Sequence, residues 1–114
     1  MSLEIHRDDR PPVVVLSVVG ELDLASLDDL DSAIDTTLTG DVTHLVLDLA
    51  GLSFCDSTGL SLFIRAHRRM ADLGGQLSLA AVQPAVLKVI KLTGLDAALR
   101  IYPDVTMAIA DGPS

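Results

Sequence analysis

The segment Phe54-Cys55-Asp56-Ser57-Thr58-Gly59-Leu60 places two hydroxyls, a carboxylate and a glycine between an apolar stretch and a stretch with helical spacing. Its polar residues therefore lie at a predicted helix start. Free N–H groups there can be capped by Ser57 or Asp56, and the same donors can receive an anion. An isolated Asp-Ser-Thr-Gly segment is typical of a helix cap, so these residues alone indicate a cap that tolerates negative charge.

Catalytic and ligand-binding patterns are weak around this segment. Ser57 as a nucleophile would need His44 or His67 as its base, but no Gly-x-Ser-x-Gly surrounds it, and His67 falls on the apolar face of the same predicted helix. Nucleotide binding is a second alternative, but the sequence contains no glycine-rich phosphate-binding motif to support it. Three scattered histidines and one cysteine do not make a zinc site, and no metal or cofactor is expected.

Length and composition predict a single domain over residues 1–114, with a flexible tail at about 111–114. The 114 residues are 49% hydrophobic, which is enough for a core without disulfides. The lone Cys55 cannot pair within the chain and points to a reducing compartment. With no signal peptide pattern and no apolar run of about 20 residues, we expect a cytoplasmic protein with no membrane partner.

The charge is strongly acidic and uneven. The formal net charge is −8 with a pI near 4.5, which opposes binding to nucleic acid. Residues 1–56 carry twelve acidic residues against Arg7 and Arg10, a net charge of −10, whereas residues 57–114 carry a net charge of +2. This asymmetry suits the steering of a basic partner, and solubility is the alternative explanation.

Hydrophobic periodicity predicts an α/β fold, with a mostly parallel sheet of four to five strands covered by about four helices. The strands are predicted from β-branched or alternating runs at Val13–Val19, His44–Leu49, Gln76–Ala81 and Leu99–Tyr102, with Leu3–His6 as a hairpin partner across Arg7–Pro12. The helices are predicted from Ser26 as N-cap to Gly40-Asp41, from Ser57 to Leu73, from Pro84 to Gly94, and from Asp104 as N-cap to Ala110.

The helix predicted over Ser57–Leu73 has a broad apolar stripe and an opposite polar side. The stripe consists of Leu60, Phe63, Ile64, His67, Met70 and Ala71, and the polar side of Ser61, Arg65, Arg68 and Asp72. Leu62, Ala66 and Leu73 lie beside the stripe. Two interpretations are open for these three residues, the margin of the core and contact with a partner.

Two motifs together resemble a known family. The run Phe54-Cys55-Asp56-Ser57-Thr58-Gly59-Leu60, with Gly20-Glu21-Leu22-Asp23 upstream, is similar to the STAS domain of bacterial anti-sigma factor antagonists. The likeness extends over essentially the whole chain in length and in element order. It implies a small STAS-like α/β domain, in agreement with the periodicity.

The resemblance also implies a function. Ser57 would be phosphorylated by a partner that is both an anti-sigma factor and a serine kinase, and the unphosphorylated form would bind that kinase and free a sigma factor. A serine phosphatase would reset the cycle, so the domain would be a substrate and not an enzyme, acting as a monomer or weak dimer. Thr58 is a possible secondary phosphosite. The expected partner contacts are Glu21, Asp23, Asp56, Ser57, Thr58, Gly59 and Leu62.

A phosphate adds about −1.5 to −2 charge, here beside Asp56 and near Glu21 and Asp23, and can disrupt docking by repulsion. For Asp23, the alternative to a partner contact is a role as a turn or capping residue. Among wider alternatives, a stressosome-like scaffold of the same fold is the nearest. Cys55 stands where the family pattern leads us to expect an aliphatic residue, which indicates packing, with redox sensing as a second hypothesis.

Overall fold

Six β-strands and four α-helices follow one another through residues 3–38 and 41–112, the part of the chain that the computed structural model describes. The strands are β1 (Glu4–Arg10), β2 (Val13–Leu22), β3 (His44–Asp48), β4 (Leu52–Cys55), β5 (Gln76–Ala80) and β6 (Arg100–Tyr102). The helices are α1 (Leu27–Thr37), α2 (Ser57–Asp72), α3 (Pro84–Leu92) and α4 (Val105–Ala110), with a short 3-10 helix at Leu95–Ala97.

The sheet has the order β1-β2-β3-β5-β6, and β4 pairs with β2 beyond the end of β3. Only β1 runs antiparallel to its neighbour among these described strands, so the predicted, mostly parallel sheet is confirmed. Leu16, Leu47 and Leu79 are register partners in neighbouring strands. The sheet has one strand more than predicted because β4 is only four residues long, too short for its alternation to stand out.

Helices cover both faces of the sheet, because successive side chains of a strand point to opposite sides. Leu16 and Leu47 belong to the larger core, which α1, α2 and α3 cover. Val15 and Val46 point the other way, into a smaller cluster with Ala108 of α4. The continuous apolar runs of β2 and β3 therefore serve two apolar layers, as expected for strands buried on both faces.

The predicted hairpin of β1 and β2 is present, with longer strands and a shorter turn than expected. Glu4 pairs with Val19 and Arg10 with Val13, so only Pro11-Pro12 remain for the turn. The predicted turn includes residues 7–10, because this charged run lacks an apolar alternation. They suit an edge strand, where charge discourages pairing with other chains.

Most predicted helix ends are found. Gly94, with a φ of 76°, follows the end of α3, and the Asp104 carboxylate caps α4 by accepting from the amide of Met107 at 2.8 Å. Helix α1 ends at Thr37, and the predicted terminator Gly40 lies outside the described residues, as do residues 113–114 of the predicted tail. Asp111, also in that tail, accepts a hydrogen bond at its carbonyl from the Gln76 side chain.

Helix α2 buries a wider arc than the predicted stripe. It contacts β5 on one side and α1 on the other, and Leu62 and Ala66 have no exposed surface. The prediction of Leu62 as a partner contact is therefore wrong, since a fully buried side chain cannot meet another protein. Ala71, predicted to face the core, is exposed, and Leu73 is 61% exposed.

No helix within the described residues is long and apolar enough to cross a membrane.

Candidate functional site

The two sequence motifs meet where β2 and β4 end side by side. Leu22 pairs with Cys55, and the amide of Asp56 donates to the Leu22 carbonyl at 3.1 Å. The register of the pair shifts between Gly20 and Glu21, and Gly20 has a φ of 121°, which favours glycine. The segment that follows β2 is thus brought beside the start of α2.

Asp56 is the N-cap of α2. Its Oδ1 accepts from the amides of Thr58 at 3.0 Å and Gly59 at 3.1 Å, and from the Thr58 hydroxyl at 2.5 Å. The hydrogen bond from the Thr58 hydroxyl is the largest of the effects that lower the pKa of the Asp56 carboxyl. Burial opposes it, and the amides of Gly59, Thr58 and Leu24 lower the pKa further. Of the two candidate caps, Asp56 takes the role.

Ser57 is the first residue of α2 and is exposed. Within the described part of the chain its hydroxyl takes part in no hydrogen bond, whereas the neighbouring Thr58 hydroxyl is half-buried and bonded to Asp56. Because Asp56 already caps the helix, the Ser57 hydroxyl has no structural duty there. It is therefore the free hydroxyl of this segment, while the Thr58 hydroxyl is engaged.

The loop between β2 and α1 is held by reciprocal bonds between Asp23 and Ser26. The Asp23 carboxylate accepts from the Ser26 amide at 3.0 Å, and the Asp23 amide donates to the Ser26 hydroxyl at 3.1 Å. Ser26 Oγ also donates to the carbonyl of Glu21 at 2.8 Å. Ser26 occupies the N-cap position of α1, but its side chain makes no capping bond to that helix, because this buried hydroxyl is used in the loop instead. Asp23 thus has a turn role in this loop, and its contact with a partner stays a prediction.

Gly59 allows α2 to start close to the sheet. A Cβ at this position would lie 2.6 Å from Cys55 Sγ and 2.8 Å from Leu22 Cδ2, well inside van der Waals contact. Gly59 is buried, so of the expected partner contacts it can contribute only through the backbone that it shapes beneath the exposed residues. The requirement for glycine is one of packing.

Cys55 is a buried free thiol under the helix start. Burial, and then the neighbouring Asp56 charge, raise the pKa of the Cys55 thiol to about 12. The thiolate is the reactive form, so a thiol with this pKa is unreactive at neutral pH. The packing interpretation of Cys55 is favoured over redox sensing.

Neither histidine proposed as a base lies near Ser57. His44 is paired with Val13, at the opposite end of β2, and its Nε2 lies 2.8 Å from Ser78 Oγ. Burial, and then Arg100, lower the pKa of His44, while Asp111 opposes them. His67 is ten residues further along α2, about 15 Å by helix rise. Neither His44 nor His67 can therefore take the proton of Ser57.

Two exposed apolar side chains flank the site and were missed from the sequence. Leu24, in the loop between β2 and α1, is 73% exposed, and Phe54, opposite Glu21 in β4, is 48% exposed. Leu24 stands in a short loop and Phe54 in a strand of four residues, so periodicity carried no signal for either. Their exposure beside Ser57 provides apolar contact area for a partner.

Comparisons with known proteins agree with the fold and the site. Residues 4–108 match the STAS domain family. An anti-sigma F factor antagonist of Paenibacillus polymyxa is 27% identical over 112 residues, covering 97% of this chain and 96% of that protein. The crystal structure of an anti-sigma factor antagonist from Mycobacterium paratuberculosis superposes with a TM-score of 0.86 at 30% identity, covering 95% of this chain and 92% of the other.

Two solved forms of the antagonist SpoIIAA are also similar to this chain. The unphosphorylated form has a TM-score of 0.79 at 27% identity, covering 93% of each chain. The phosphorylated form, described as a Bacillus cell fate determinant, has a TM-score of 0.73 at 26% identity and covers 94% of this chain and 97% of that one. The resemblance seen in the two sequence motifs is thus confirmed over the whole domain, and the chain belongs to the STAS domain family.

Proposed function

We propose that this chain is an anti-sigma factor antagonist whose state is set by phosphorylation of Ser57. The unphosphorylated form binds an anti-sigma factor that is also a serine kinase, and so releases a sigma factor. The observation that carries the proposal is the division of roles at the start of α2, where Asp56 makes the capping bonds and the exposed Ser57 hydroxyl is left free. The names of the relatives and structural neighbours support the same role.

Phosphorylation at this position changes the surface and preserves the fold. A phosphate in the first turn of a helix is favoured by the helix dipole, so α2 tolerates it. The added charge lies next to Asp56, and near Glu21 at the end of β2 and Asp23 in the loop that follows. A partner docked there meets a dianion where it met a neutral hydroxyl, and the complex weakens.

The chain acts as a substrate and a binding partner in this scheme, and not as a catalyst. The support is geometric, because His44 and His67 are both too far from Ser57 to activate it. A serine phosphatase returns Ser57 to its free form. The cycle takes place in the cytoplasm, with the chain as a monomer or weak dimer.

Capture from a lysate of the source organism tests the proposal, with Ser57→Ala and Ser57→Asp as baits and mass spectrometry to identify bound proteins. We expect Ser57→Ala to retain a small ATP-binding kinase and Ser57→Asp to lose at least most of it, with circular dichroism showing both variants folded. Thr58→Ala is the matched control for a neighbouring hydroxyl, and should still be phosphorylated by the captured kinase. Equal capture of the kinase by the alanine and aspartate baits would contradict the switch.

The same baits separate an antagonist from a scaffold of the same fold. A scaffold would recover other STAS proteins equally with both baits and would elute in large assemblies on size exclusion. An antagonist elutes as a monomer or small dimer.

A further inference from the structure

A groove of about 350 Å³ runs along α2 from its first turn. One wall is the exposed side of α2, and the other is formed by Thr93 and Leu95, after the end of α3. We call it the α2 groove. Its lining consists of Ser57, Leu60, Ser61, Ile64, Arg65, Arg68, Thr93 and Leu95. The candidate phosphosite is therefore part of the same surface depression as two arginines.

Helix geometry explains why these side chains share a surface. Ser57, Ser61 and Arg65 are spaced at four residues, and Arg68 follows three residues later, so they lie on one side of α2. Leu60 and Ile64 lie beside them, on the side nearer the core, where they are buried and half-buried. The groove has an apolar base with hydroxyls at one end and guanidinium groups at the other.

The arginines of the α2 groove are available to an external anion. Neither Arg65 nor Arg68 forms an ion pair within the described residues, whereas the adjacent Arg69 pairs with Asp35 and, at 3.6 Å, with Asp31 of α1. No acidic residue is among the described residues that line the groove. A formal charge of +2 is thus concentrated in a depression of a chain whose net charge is −8.

We propose that the α2 groove docks an acidic segment of the protein partner that also carries leucine-like side chains, and that phosphorylation of Ser57 removes the charge that holds it. Apolar side chains of the segment pack on Leu60, Ile64 and Leu95, and its carboxylates pair with Arg65 and Arg68. A phosphate of about −1.5 to −2 at Ser57 brings the groove close to neutrality. The inference rests on the proposed function, which supplies the partner protein and the phosphate on Ser57.

Charge complementarity selects this occupant over a basic one. A lysine-rich segment in the α2 groove would be repelled by both arginines and would gain from phosphorylation. An acidic segment is attracted to the groove before phosphorylation and not after it. This agrees with the proposal that the unphosphorylated form is the one that binds the partner.

An isotope-labelled sample of the full chain, titrated with a short peptide of glutamate and leucine, tests the docking by nuclear magnetic resonance. We expect millimolar or tighter binding, with amide shifts confined to the residues of the α2 groove, and weaker binding at higher salt. A peptide in which lysine replaces glutamate should not bind. Exposed ion pairs change affinity by about two- to fivefold each, so Arg65→Glu with Arg68→Glu should weaken binding at least about threefold.

Lys88→Glu with Lys91→Glu is the matched control. It makes the same change of net charge on exposed residues of α3 that do not line the α2 groove. We expect it to bind the acidic peptide within about twofold of the original chain, with the residual loss due to long-range charge. Ser57→Asp should weaken binding of the acidic peptide by about twofold or more, because the new carboxylate offsets part of the groove's positive charge.

Several results would overturn the inference. The first two are an equal loss of binding in the arginine and lysine double variants, and equal binding of the lysine and glutamate peptides. The others are amide shifts on another face of the domain, no binding at several millimolar peptide, and unchanged binding by Ser57→Asp. Shifts of the groove residues with protein concentration alone would show that a second copy occupies it. The titration uses no kinase and no phosphate, so the docking result stands or falls separately from whether a kinase recognises Ser57.

Discussion

At the scale of single residues, the proposed switch depends on which of two adjacent side chains caps α2. Asp56 and Ser57 are both good capping residues, and only the geometry shows that the carboxylate takes the amides of Thr58 and Gly59. With its hydroxyl unbonded and exposed, Ser57 can be modified at little cost to the helix. The same contacts tie the Thr58 hydroxyl to Asp56, which makes Thr58 the poorer phosphosite.

The Asp56 cap should stabilise the folded domain. Asp56→Ala should lower the free energy of unfolding by about 1 kcal/mol, since it leaves two amides of α2 without a partner. Folding lowers the pKa of Asp56 from 3.8. The unfolded chain therefore binds the proton more tightly, and the contribution of Asp56 is complete above this value and is lost as the pH falls through the folded pKa.

Urea unfolding at neutral and acidic pH measures both effects. Asp56→Asn is the control, because an amide oxygen can still cap the helix but does not titrate in this range. An alanine variant as stable as the original chain, or an asparagine variant with unchanged acid sensitivity, would contradict this role of Asp56.

At the scale of elements, the site is set by how closely α2 approaches the ends of β2 and β4. Gly59 permits that approach, since a side chain there would collide with Cys55 and Leu22. The position of Ser57 relative to the Asp23 loop follows from it. A small displacement of α2 would also alter the groove between α2 and the segment after α3.

Gly59→Ala should destabilise the domain by about 1–3 kcal/mol through overpacking, although alanine is the better helix former by about 1 kcal/mol. Thermal or urea unfolding gives the difference. Removal of the sulfur with Cys55→Ala in the same chain should recover part of the loss, because the closest contact of the new Cβ disappears. If the two substitutions simply add, the sulfur does not set the distance between α2 and the sheet.

The arc buried by α2 shows where periodicity was insufficient. Positions spaced like one stripe were predicted to face the core, yet Leu62 and Ala66 are fully buried beside them and Ala71 is exposed. A helix packed against a sheet alone buries one stripe, but α2 also touches α1. The second neighbour widens the buried arc, and the spacing of residues within α2 carries no information about that neighbour.

At the scale of the whole molecule, Cys55 reports on the integrity of the core. It is 4% exposed within the larger core, and the pKa of its thiol is raised to about 12 by burial and Asp56. In the folded state both the access of a reagent and the thiolate fraction are low. Reaction thus requires opening of the domain.

A thiol reagent at neutral pH should label Cys55 slowly, with a rate that rises with urea in parallel with unfolding. Ala71→Cys in a Cys55→Ala chain is the matched control, since position 71 lies on the exposed side of α2 and should react quickly without urea. Rapid labelling of Cys55 in a folded chain would restore the redox hypothesis.

The α/β class, the parallel pairing, most element positions and the family can be predicted from the sequence, because they depend on local periodicity, on turn residues and on two motifs that are continuous runs of the chain. Four features are visible only in the folded structure: Asp56 caps α2, Ser26 bonds within the Asp23 loop, Leu62 is buried, and Arg65 and Arg68 share a groove with Ser57. The reason is physical. Each of these outcomes is a competition among side chains for one partner or one surface, and its result depends on distances between elements that are remote in sequence.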